Sequence, residues 1–78
     1  MSITINQEKY TVLVPFIQGL PGFVSYSLQN DYTLKFAFQS GFACCISKNN
    51  KNTNQAVHFE NEKSDLATHQ VILNAIIQ

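Results

Sequence analysis

Four side chains in this 78-residue chain carry a thiol or an imidazole, the groups most readily made nucleophiles or metal ligands: Cys44, Cys45, His58 and His69. A thiol beside an imidazole ionises more readily and becomes a nucleophile. Cys45 and His58 meet on the outer face of a sheet if their segments pair as neighbouring strands. Nucleophilic catalysis also needs a group to orient the base and a place for the developing charge. No carboxylate stands at a fixed spacing to orient His58, and a flat sheet face offers no pocket. Structural zinc takes ligand pairs separated by about two to four residues. Adjacent Cys44 and Cys45 diverge on a strand, and His69 has no ligand four residues on. Gly19, Gly22 and Gly41 read as turn formers rather than a phosphate loop. The expectation is no catalytic residue, no cofactor and no metal. Cys44 becomes a small core residue, and Cys45 lies outward, available to an intermolecular bridge.

The elements that position these residues are legible as a period-two pattern. Large apolar side chains recur at Val24, Tyr26 and Leu28, then at Tyr32, Leu34, Phe36 and Phe38, then at Phe42, Cys44 and Ile46. Turn signals at Gln29-Asn30-Asp31 and Gln39-Ser40-Gly41 cut this run into strands over 23–28, 32–38 and 42–47. Three-residue loops keep the parity, setting Leu28 against Tyr32 and Phe38 against Phe42. A further strand at 56–60 places Val57 opposite Ile46 and Phe59 opposite Cys44, and so His58 opposite Cys45. Upstream, 2–6 and 10–17 read as a hairpin with Ile5 opposite Tyr10 and Ile3 opposite Val12. In the second of these, Leu13, Pro15 and Ile17 form an outward apolar set, and Pro15 suits an edge or a strand end. Gly19-Leu-Pro-Gly22 reads as a connection, with a docking tip at Leu20 and Phe23 as the alternative. The period changes after Asn61: 64–77 reads as a helix with Leu66, Leu73 and Ile77 on its apolar face and N-cap candidates among 61–65.

The fold class expected is therefore α+β in a single domain, 1–78. It is a curled antiparallel β-meander of five or six short strands with one C-terminal α-helix packed on it. One helix, about 10 Å across, cannot cover six strands spread over roughly 24 Å. The sheet either curls on itself or meets a second polypeptide.

Composition narrows the partners. Charged residues are 13% of the chain against 45% hydrophobic, and the formal net charge is zero. Weak charge gives little protection against association. There is no Arg, and Lys9, Lys35, Lys48, Lys51 and Lys63 are scattered, so phosphate-neutralising contact with nucleic acid is not expected. The N-terminus lacks a signal-peptide pattern, no apolar run reaches a membrane span, and the cysteines form no disulfide framework. The expected home is the cytoplasm. The expected role is a small non-enzymatic protein-interaction module, a homodimer or an inhibitor of a larger protein of the phage, plasmid or immunity type. Its contact residues are drawn from Leu13, Pro15, Ile17, Leu20, Phe23, Cys45 and His58. Two alternatives stand beside it: a binder of small apolar ligands with a pocket between sheet and helix, and a thiol-dependent enzyme using Cys45 and His58.

Overall fold

A computed structural model describes residues 3–48 and 54–78. The chain is α+β. Five strands, β1 (Ile3–Ile5), β2 (Phe23–Asn30), β3 (Thr33–Phe38), β4 (Ala43–Lys48) and β5 (Gln55–Glu60), form one antiparallel sheet in the order β1-β5-β4-β3-β2. Two helices, α1 (Gln7–Gln18) and α2 (Leu66–Ile77), complete it. The Asn-rich segment 49–53 lies outside the described residues.

The strand expected over 10–17 is helical, and this is the main correction. Asn6 leaves β1 extended, and its side-chain oxygen accepts the Lys9 N–H at 2.8 Å, capping α1. Leu13 and Ile17, four residues apart, then fall on one helical face and are fully buried, flanked by half-buried Tyr10 and Val14. The hairpin of Ile5 with Tyr10 does not form. Instead β1 pairs with β5, Ile3 opposite Val57 and Ile5 opposite Gln55. Pro15 sits inside the helix on its exposed side.

The central meander follows the expected parity with two local changes. Leu34 faces Ile46, Phe36 faces Cys44, Ile46 faces Val57 and Cys44 faces Phe59. Phe38 and Phe42 oppose each other across a three-residue loop: the Phe38 N–H donates to the Phe42 carbonyl at 2.9 Å, and Gly41 takes φ 95°. A side chain there would be strained. In β2, however, Val24 is the extra residue of a bulge between Phe23↔Phe38 and Ser25↔Ala37. The bulge brings Phe23, rather than Val24, onto the core face, where its ring meets Phe38 at 5.9 Å. A second irregularity at Gln29 and a tight turn at Asp31–Tyr32 set Leu28 against Leu34, not Tyr32.

Asp65 caps α2 by accepting the Thr68 N–H at 3.1 Å, after a 3-10 turn over Glu62–Ser64. The inward face is His69, Ile72, Leu73 and Ile76; Leu66 and Ile77, expected there, are exposed. Both helices lie on one face of the sheet. Leu13, Ile17 and Ile72 join Phe36, Phe38, Phe42, Cys44, Ile46 and Val57 in a single core, and Lys9 Nζ ties the helices by donating to the Ala75 carbonyl at 3.0 Å.

Candidate interaction surface

The path of α1 decides which part of the sheet is left open. It begins after Ile5, beside the start of β5, where Gln55 Nε2 donates to Gln7 Oε1 at 2.9 Å. It ends at Gly19, just before the start of β2 on the opposite edge. Its 12 residues span about 18 Å, matching roughly 19 Å across five strands, so it crosses the sheet diagonally. α2 starts beside the β3–β4 turn, where Ser40 Oγ donates to Asp65 Oδ2 at 3.1 Å. It runs back to the start of α1, covering the β4–β5–β1 half. The corner formed by the end of β2 and the start of β3 lies under neither helix.

That corner is apolar. Leu28 is 70% exposed, Tyr26 53% and Tyr32 50%, with Leu34 half-buried beside them. Tyr26 stacks on Phe36 at 5.7 Å, which holds its ring in place, and the Tyr32 backbone N–H donates to Asn30 Oδ1 at 2.9 Å, which fixes the turn that carries Tyr32. Aromatic side chains carry about 150–250 Å² each, so the two half-exposed tyrosines alone offer roughly 200 Å². β2 is also an edge strand, paired only with β3 among the described residues. Its sequence, Phe-Val-Ser-Tyr-Ser-Leu-Gln-Asn, holds no charge and no Pro, two of the devices that keep an edge from pairing. A third, the bulge, is present at Val24 and leaves residues 25–28 as the regular stretch. The other edge, β1, is three residues long.

The residues expected to make contacts are scattered. Leu13 and Ile17 are core and do not reach the surface, a correction that follows from the helical α1. Pro15 is exposed on the far side of α1, while Leu20 and Phe23 are half-buried against the core. Tyr26, Leu28 and Tyr32 share the even parity of the buried Phe36, Phe38 and Cys44 in the sequence, yet all three are exposed. Nothing in a parity pattern reports how far the covering helix extends.

Cys45 and His58 are cross-strand neighbours, as the register argument requires. They do not form an exposed pair, because Cys45 is fully covered. Lys35 on β3 and Glu60 on β5 meet over β4 at 3.1 Å, and this ion pair lies across the Cys45–Ala43 stretch. Burial pushes the Cys45 thiol above its ordinary pKa, the Glu60 carboxylate adds to the rise and Lys35 opposes it. Cys44, in the core, is pushed up to about 12, mainly by burial and then by Cys45. Both shifts favour the protonated thiol over the thiolate. Glu60 joins the cluster: the ligand atoms of Cys45, His58 and Glu60 all lie within 4.8 Å of one another. Its spacing of two from His58 on one strand was the available signal. His69 is placed among aromatics, 4.6 Å from the Phe59 ring and 6.1 Å from Phe42.

The space between sheet and helices is filled by Phe36, Phe42, Leu13, Ile17, Ile46, Ile72 and Val57, all fully buried. Shallow clefts lie at the periphery, one lined by Ile3, Phe59, Glu62, His69 and Leu73. Among the described residues no helix is long and apolar enough to cross a membrane. Compared with protein-family models, curated proteins and solved structures, the chain matches none.

Proposed function

We propose that this chain is a non-enzymatic protein-binding module whose working surface is the β2 edge, and that a second copy of the chain occupies it. One observation carries the reading: an uncharged eight-residue edge strand whose helix-side face bears exposed Tyr26 and Leu28, with Tyr32 beside it. An open edge offers alternate N–H and C=O groups, and an added strand satisfies them while side-chain contacts set the register.

A second copy suits this edge. Two β2 strands related by a two-fold axis pair antiparallel, and a register centred on Ser27 sets Tyr26 of one copy beside Leu28 of the other. Both lie on the same face, so the two uncovered corners become one apolar patch under the joined sheet. With no charged residue in β2, the pairing brings no like charges together. Centred on Ser27, that register pairs residues 24–30, roughly 23 Å of strand. A stable interface needs about 800 Å² per partner, roughly one sixth of this chain's 4949 Å².

The test is light scattering across a dilution series in reductant, with Leu28→Lys as the comparison. Leu28 is mostly exposed in the single chain, so the substitution does not disturb its core. The expected result is a mass twice the 8.8 kDa chain for the unaltered protein and a monomer for Leu28→Lys. A monomer at every concentration, or a dimer that Leu28→Lys leaves intact, overturns the assignment of β2.

A further inference from the structure

On the sheet face away from the helices, we infer that Cys45, His58 and Glu60 form a binding site for a single zinc-type divalent ion, with the fourth position open to water. The inference is independent of whether β2 pairs. His58 and Glu60 are two residues apart on β5, and period two puts both on this face. Cys45 is the direct cross-strand neighbour of His58, so the three side chains rise from adjacent corners of the ladder and converge above it. Their ligand atoms lie within 4.8 Å of one another. Ligands about 2.0–2.3 Å from zinc in a tetrahedral site stand roughly 3.3–3.8 Å apart. The cluster must contract by about 1 Å, within reach of side-chain rotation on a fixed backbone.

The donor set selects the ion. One thiolate, one imidazole and one carboxylate suit a borderline-soft, four-coordinate metal, whereas magnesium and calcium take oxygen ligands. Three protein ligands with one side open is the arrangement of a non-structural zinc centre. The sulfur forms the floor of the site, fully covered, while His58 and Glu60 are half-exposed at its rim. An ion therefore reaches the sulfur from the solvent side once the Lys35–Glu60 pair over it parts, without opening the core. Lys35 is the opposing feature: its Nζ lies 3.1 Å from Glu60 Oε1 and competes with a cation for that carboxylate. On binding, the thiol proton passes to solvent as the sulfur–metal bond forms, and no redox change is involved.

The experiment is titration of the full chain with Co²⁺ under anaerobic reducing conditions, followed by displacement with Zn²⁺. The expected result is one equivalent bound, with a sulfur-to-cobalt charge-transfer band and the strong visible bands of tetrahedral cobalt. Loss of an outer-shell partner alone weakens metal sites by about 10–100-fold. Cys45→Ser and His58→Ala should each exceed that, and Cys45→Ser should abolish the charge-transfer band. His58 is half-exposed, so His58→Ala keeps the test standing if Cys45→Ser fails to fold by circular dichroism. Lys35→Met removes the competitor and should tighten binding; no tightening places the ion away from Glu60 and overturns the three-ligand set. A protein that shows no charge-transfer band, or one whose affinity is unchanged in His58→Ala, overturns the site.

Discussion

Asn6 and Asp65 stand at the two helix starts, and each accepts a hydrogen bond from the backbone N–H three residues on. Replacing Asn6 by Ala should cost about 1 kcal/mol, read from urea denaturation, because α1 loses the side-chain cap at its N-terminus. Asp65 adds a pH dependence. Hydrogen bonds from the Thr68 N–H and then the Thr68 hydroxyl hold its carboxyl below the ordinary 3.8; burial opposes them, and a lesser hydrogen bond from Ser40 adds to the lowering. A depressed pKa means that the ionised form stabilises the fold above the ordinary value, and that this contribution is lost as pH falls through the lower, folded-state pKa. Asp65→Asn should therefore be less stable than the unaltered chain near neutrality, and the gap should close below pH 3.8. A gap that stays constant to the acid end would remove Asp65 from the acid response. Pro15 is the third informative residue. Inside α1 it cannot donate to the Thr11 carbonyl, at a cost of up to about 3 kcal/mol, offset by roughly 0.4–1 kcal/mol from a stiffer unfolded chain. Its side is exposed, so Pro15→Ala should raise stability by about 2 kcal/mol.

At the scale of elements, α1 shows how tertiary context overrides local preference. Tyr10-Thr-Val-Leu-Val-Pro-Phe-Ile17 is rich in β-branched and aromatic residues and contains a Pro, all of which favour a strand or its end. Helix wins because Asn6 caps it and because Leu13 and Ile17 find a buried seat over the sheet that a sixth strand would not give them. Ile17→Ala discriminates the two arrangements: as core it should cost about 2–5 kcal/mol, whereas on an outward strand face it would cost little. The strands fared differently. β3, β4 and β5 pair in the expected register because short loops and alternating side chains fix parity locally. β2 departed from it through two bulges, which sequence periodicity does not mark. The bulge at Val24 explains why Phe23, expected at a loop tip, is half-buried instead.

For the whole molecule, the apolar surplus noted in the sequence is largely resolved within the chain. One segment leaves the sheet and becomes cover, so five strands lie beneath two helices instead of six beneath one. On the helix side of the sheet the β2–β3 corner remains uncovered, while Val12, Leu66 and Ile77 are exposed on the helices themselves. The functional reading rests on the corner. Amide hydrogen exchange checks it at this scale. In the unaltered protein β2 amides should be protected along the whole strand, and in Leu28→Lys those on its open side should exchange within the fast class of edge positions. Equal exchange in both proteins would argue against pairing at β2. The sequence by itself determined the α+β class, the C-terminal helix, and the facing of Cys45 with His58 and Ile46 with Val57. Those depend on period and on short connections, which are local. Tertiary structure alone decided that β1 lies beside β5 and that 10–17 is a helix crossing the sheet. It also decided that Tyr26, Leu28 and Tyr32 stay exposed. Each depends on pairing or covering between segments far apart in the chain, and a long-range contact leaves no signature in the spacing of residues at either end.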